Sequence, residues 1–108
     1  MPKAILQVNY HFTSSHGQHV QMVTPLAEPL SGVPGLIWKI WLMNEADSEA
    51  GGIYLFENRD AANAFMNSQA IAEFVAQPSI TSVSAKMFEP NEILSRVTRG
   101  PLEMSLPA

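Results

Sequence analysis

Between Pro34 and Glu57 the chain reads PGLIWKIWLMNEADSEAGGIYLFE, two apolar arms joined by a polar connection, and no other tract limits the possible folds as much. A strand with one wet face alternates apolar and polar residues, whereas Leu36, Ile37, Trp38, Ile40, Trp41, Leu42 and Met43 put bulky groups on both sides of the pleat. Both faces of the hairpin must therefore be covered. Helices of the same chain can cover one, and a second subunit is the expected cover for the other. That arrangement leaves room for an enclosed pocket, where any chemistry would sit.

The remaining elements follow from periodicity. Residues 4–13 alternate, with Leu6, Val8, Tyr10 and Phe12 opposed to Gln7, Asn9, His11 and Thr13, which predicts a strand. After Ser14 or Ser15 as N-cap, Val20, Val23, Leu26, Ala27 and Leu30 recur at helical spacing, with a kink expected at Pro25 and an end at Pro29 and Gly32. Strands are predicted over about 36–44 and 51–57, joined by the polar stretch 45–50. Gly51-Gly52 would weaken a strand unless there is a bulge or something packs against the backbone there. Asn58 or Asp60 can cap a second helical region, whose apolar stripe changes phase near Asn67-Ser68, so a break is expected there. Residues 80–89 alternate again as the last strand, and 90–108 form a tail with a helical turn at Ile93, Leu94 and Val97, expected to dock on a partner subunit. The order β-α-β-β-α-β with an antiparallel sheet and helices on one face is the ferredoxin-like α+β arrangement, in a single domain over 1–108.

Composition removes several function classes. Net charge is −4 and the six basic residues are scattered, so no footprint for nucleic acid or an anionic membrane is present. The chain has no cysteine, hence no disulfide, thiol nucleophile or thiolate metal site. Its start, MPKAILQVNYHF, reads as a strand and not as a signal peptide or membrane span, so a soluble cytoplasmic protein is expected. His16 and His19 are three apart at a helix start, but no nearby carboxylate completes a ligand set, and no metal is expected. Ser14 and Ser15 lack an orienting acid or an elbow motif. Gly51-Gly52 leads into a strand, not a helix, which excludes a phosphate loop.

Strand parity groups Gln7, Asn9 and His11 on one face, Lys39 with Trp41, and Ser82, Ser84, Lys86 and Phe88 on a third strand, with Tyr54 alternating against Ile53 and Leu55. If these faces coincide they form a polar and aromatic wall. The opposite wall would hold Leu6, Val8, Tyr10 and Phe12 with Leu36, Trp38, Ile40, Leu42, Ile53, Leu55, Val83, Ala85 and Met87. Hydrogen bonding near a sheet edge or interface is the competing account for Asn9, His11 and Lys39 taken singly.

The runs LQVNYHF, TPLAEPL, PGLIWKIW, EAGGIYLFE and AKMFEPNEILS, in that order over nearly the whole chain, closely resemble the YdhR-type mono-oxygenase family. The resemblance implies a dimeric α/β-barrel of two ferredoxin-like subunits, related in fold to small oxygenases that use no flavin, haem or metal. It implies that an electron-rich hydroxylated aromatic or polycyclic substrate loses a proton and reduces dioxygen itself, inside an enclosed apolar chamber. Trp38 and Trp41 could then supply aromatic walls, Tyr54 and Asn9 the donors to an oxyanion, and His11 or a water the proton route, with Lys39, Ser84 and Lys86 also binding substrate. The partners implied are a small aromatic substrate, dioxygen and a second copy of the chain. Two other readings stay open: a non-catalytic dimer that binds an aromatic ligand or haem, and an oxygen-independent isomerase or decarboxylase-like enzyme with His11 as base.

Overall fold

The alternation predicted over 4–13 forms a strand, β1 (Ala4–Phe12), whose even-numbered side chains are buried while its odd-numbered ones are half-buried or, at His11, exposed. This is a computed structural model and describes residues 2–102. After β1 come α1 (His16–Val23), a 3-10 turn, α2 (Ala27–Ser31), β2 (Leu36–Asn44), β3 (Glu49–Phe56), α3 (Arg59–Met66), α4 (Gln69–Val75), β4 (Ile80–Phe88) and α5 (Glu92–Val97). The order is as predicted, and the punctuation has the expected causes. Ser15 opens α1 with a reciprocal capping box, its Oγ accepting from Gln18 N at 3.1 Å and its N–H donating to Gln18 Oε1 at 3.2 Å. Pro25, which has no amide proton to donate, sits in the 3-10 turn Thr24–Leu26 that separates α1 from α2. Ser68 caps α4, which marks the phase change between α3 and α4.

The four strands pair antiparallel in the order β2-β3-β1-β4, the ferredoxin-like α+β topology. The sheet is open, with β2 and β4 at its edges; a single chain does not close a barrel. Leu6, Tyr10, Phe12, Tyr54 and Phe56 on the helical side join Ala62 and Phe65 of α3 in one core. Tyr54, Phe56 and Phe65 form an aromatic cluster with ring centres 5.1 to 6.1 Å apart.

Register corrects one part of the parity reading. Tyr54 pairs with both Leu6 and Lys39, and Gly52 with both Val8 and Trp41, so Lys39 and Trp41 share the helical face with Leu6, Val8 and Tyr10. Asn9 pairs with Ser84, and Gln7 with Lys86, on the other face, together with Trp38, Ile40, Ile53 and Leu55. The anticipated wall combining Asn9 and His11 with Lys39 and Trp41 is thus split across the sheet. Parity fails within β2 and β4 at the irregularities Leu36/Trp38 and Asn9/His11, where Leu36 pairs with Phe56 on the helical face and Thr81, not Ser82, lies opposite His11; elsewhere what it lacked was the pairing between strands. Ser82, in the second irregularity, takes a left-handed φ of 53°.

The non-helical face is partly covered by the chain itself. Trp38 Nε1 donates to the Pro101 carbonyl at 2.6 Å, Leu102 is buried, and Leu55, flanked by Ile5 and Trp38, is fully buried although it points away from the helices. The described part of the tail therefore reaches its own sheet, and residues 103–108, which complete the predicted tail, lie outside the described residues. Ile93, Leu94 and Val97 of α5 stay largely exposed.

Gly51 shows why the double glycine is tolerated in β3: a Cβ there would overlap the Val8 carbonyl of β1. Gly51→Ala should lower the thermal midpoint by several degrees at least, because overpacking costs about 1–3 kcal/mol even where neighbours can give way. An unchanged midpoint in a calorimetric scan would contradict this close approach.

Candidate active site

Helices and sheet do not meet everywhere. Between them lies a cavity of about 720 Å³, floored by Val8 and Tyr10 of β1, Lys39 and Trp41 of β2, and Gly52 and Tyr54 of β3, and roofed by apolar side chains that include Met22, Leu30, Phe65, Ile71 and Phe74. Its size and lining suit a small, largely apolar molecule. Three polar side chains stand on the floor: Tyr10, Lys39 and Tyr54.

Tyr10 is the best anchored of these. Its hydroxyl is 2.9 Å from His19 Nε2, in a buried hydrogen bond, and its ring meets the Phe74 ring edge-on at 5.1 Å. Burial pushes the Tyr10 phenol up to about 12. His19 is 1% exposed and stacks on Phe12 with ring centres 4.3 Å apart and planes 5° from parallel. Burial, and then the proximity of His16, lower its pKa, so the neutral imidazole is favoured. Its Nδ1 is buried without a hydrogen-bond partner, as is that of His16. The arrangement is a neutral base one hydrogen bond behind the hydroxyl of a residue that lines the cavity, a geometry suited to passing a proton inward.

Tyr54 is buried, and burial followed by the nearby Tyr10 raises its pKa, which keeps it a protonated donor. Lys39 is the cation of the floor. Its ammonium lies 3.4 Å from the centre of the Trp41 ring and 4.6 Å from that of Tyr54, and desolvation lowers it to about 8.

Of the residues singled out in the sequence, Tyr54, Lys39 and Trp41 come together on the cavity floor. Asn9, Ser84 and Lys86 stand on the opposite face with Trp38, and His11 is exposed opposite Glu49 and Thr81. The trio Tyr54, Asn9 and His11 is not assembled. The pair that sequence reasoning misses is Tyr10 with His19: alternation marks Tyr10 only as an apolar-face residue, and His19 stands in the sequence as one of two histidines three apart. The usable signal was His19 lying four residues before Val23, since both are the buried positions of α1. Among the described residues no three His, Asp or Glu side chains cluster to hold a metal ion, and no helix is long and apolar enough to cross a membrane.

The sequence pattern of the family described as "Putative mono-oxygenase ydhR" matches residues 5–101. The chain belongs to this family. No curated protein matches it. Among solved structures, this YdhR-family chain is similar to SnoaB, a cofactor-independent oxygenase from Streptomyces nogalater, at 11% identity and a TM-score of 0.68 over 84% of this chain and 95% of that one. It is similar to a monooxygenase from the gene ActVA-Orf6 of Streptomyces coelicolor in complex with nanaomycin D, at 16% identity and a TM-score of 0.65 over 83% and 88%. NE2512 of Nitrosomonas europaea, a protein of unknown function, is 22% identical with a TM-score of 0.63 over 100% and 97%. At these identities the likeness shows the fold.

The charge states of the floor set a pH dependence of stability. Lys39 has its folded pKa depressed from 10.5 to about 8, so its contribution to stability is present above pH 10.5 and is lost as pH falls through 8. The tyrosines act oppositely: their folded pKa values lie above the ordinary 10.0, and the stability they give is lost as pH climbs beyond it. Chemical denaturation should therefore show stability rising from pH 8 towards 10 and then falling. In Lys39→Met the rise should vanish while the fall remains; an identical profile in the variant would contradict the burial of the Lys39 amine.

Proposed function

We propose that this YdhR-family chain is a cofactor-independent mono-oxygenase that oxidises a planar hydroxylated aromatic compound with dioxygen in the cavity between sheet and helices. The observation that carries the reading is the cavity floor, where a hydroxyl backed by a buried neutral histidine stands in the same apolar chamber as a second hydroxyl and an ammonium. Tyr10 passes the substrate proton to His19, and Tyr54 and Lys39 face the oxyanion that remains. The anion then reduces dioxygen; for a methylene activated as in an anthrone, the carbon ends as a carbonyl and the second oxygen atom leaves as water. Trp41 and Phe74 supply aromatic walls for a flat ring system. Exclusion of water from such a chamber strengthens each of these contacts.

The active form we propose is a homodimer. The exposed Ile40 and Phe88 on the non-helical face, with Ile93, Leu94 and Val97 of α5, are the apolar surface a second copy would cover, and two open sheets laid face to face would complete a barrel.

The test is dioxygen uptake by metal-free protein with hydroxylated anthrones, naphthols and quinols against buffer-only autoxidation. Uptake should depend on protein and yield a quinone or hydroxylated product. Tyr10→Phe and Tyr54→Phe should each lower kcat about 10²-fold while leaving the fold intact. In the native protein the rate should fall at acid pH as His19 takes up a proton; His19→Gln keeps an acceptor for Tyr10 but cannot titrate, so that acid limb should be absent from its residual rate. Saturable binding without uptake would make the cavity a binding site only, and turnover under strict anaerobiosis would indicate an oxygen-independent enzyme.

A further inference from the structure

A cation left without a counter-ion in an apolar chamber is costly, so the placement of Lys39 calls for a physical reason. Its stem crosses the sheet at Gly52, where a Cβ would stand 2.5 Å from Lys39 Cε and 3.2 Å from Tyr54 Cε1. Glycine is what leaves the lane open. Beyond that lane the ammonium rests between the Trp41 and Tyr54 rings, whose faces attract a cation but do not neutralise it. The ion pairs of the described residues, Lys3 with Glu92 and Arg96 with Glu92, do not involve it. Glu73 is the acidic residue on the cavity wall; it is exposed and holds Gln69 Nε2 at 3.0 Å. Both floor tyrosines are neutral, as their raised pKa values require. At pH 7 the cavity floor therefore presents a positive charge, flanked by flat aromatic surfaces, and supplies no negative charge of its own to meet it.

We infer that the cavity is a receptor for planar aromatic anions, aromatic carboxylates or ionised enols and phenols, with Lys39 as counter-ion to the ligand oxyanion and Gly52 as the gap through which its stem reaches that position. This deepens the assignment of the cavity as the substrate site and rests on that part of the proposed function, though not on oxygen chemistry. A ligand acid would be recognised by charge at one edge and by stacking over the rest of its surface. Neutral analogues of equal shape would leave the ammonium unpaired.

The experiment is anaerobic calorimetric titration of the full chain at pH 7 with two matched pairs: 2-naphthoate against 2-naphthamide, and 2-hydroxy-1,4-naphthoquinone against its 2-methoxy analogue. The native protein should bind the anion of at least one pair about 10-fold or more tightly than its neutral partner, the scale of one charge-assisted contact. Preference in the first pair alone assigns a carboxylate ligand, and in the second alone an ionised enol. Lys39→Met, with Lys39→Gln as the second variant, should bring the ratio near one while the neutral compound still binds within a few-fold. Gly52→Ala should reduce the ratio by displacing the Lys39 stem. Equal affinities in the native protein, no binding of any of the four compounds, or a preference that survives both Lys39 variants would overturn the inference. Because no dioxygen is present, failed turnover with intact anion preference would sink the oxygenase reading alone.

Discussion

Tyr54 is paired on one side with Leu6 and on the other with Lys39, and this register decides what the helices cover. Because strand side chains alternate strictly, a slip of one residue between β2 and β3 would send Lys39 and Trp41 to the opposite face and bring Trp38 and Ile40 beneath the helices. The cavity floor would then keep its two tyrosines but hold no cation. Gly51 and Gly52 protect the register, the first by allowing β1 to approach and the second by admitting the Lys39 stem. The double glycine and the cation of the site are thus one feature seen from two positions in the chain.

A second constraint is the cost of placing polar groups in such a chamber. Each floor group is accommodated differently. Tyr10 gives its hydroxyl to a buried hydrogen bond with His19, Tyr54 remains neutral within an aromatic cluster, and Lys39 is held by ring faces and gives up part of its affinity for a proton. Burial acts in the same sense on all of them, favouring the uncharged form, so the resting site holds two protonated phenols, a neutral imidazole and a weakened ammonium. That is a site poised to receive a proton and to stabilise an oxyanion, without a carboxylate of its own on the floor.

Much of the fold was legible in the sequence. Strict alternation over β1, the proline within the first helical pattern and the phase change at Asn67-Ser68 each have a local cause and reappeared where expected. The site was legible only in part. Tyr54, Trp41 and Lys39 were singled out and do meet, but they were joined to Asn9 and His11, because parity gives the faces of a strand and not how faces of neighbouring strands match. Bulges within β2 and β4 shift the register by amounts that no local pattern reports. His19 was missed for another reason: a polar residue on an apolar helical stripe looks like an interruption until its partner across the core is known, and Tyr10 lies nine residues away on a different element.

The two tryptophans distinguish ligand entry between the helices and the sheet from entry on the opposite face. Trp41 lines the cavity, while the Trp38 indole N–H is on the other face, bound to the Pro101 carbonyl. The most direct measurement is the ¹⁵N indole spectrum of the protein titrated with 2-naphthol under nitrogen, with the two resonances assigned by Trp38→Phe. A ligand seated between helices and sheet should move the Trp41 resonance saturably and leave Trp38 nearly still. Movement of Trp38 with Trp41 unchanged would place the ligand on the opposite face of the sheet and contradict that seating.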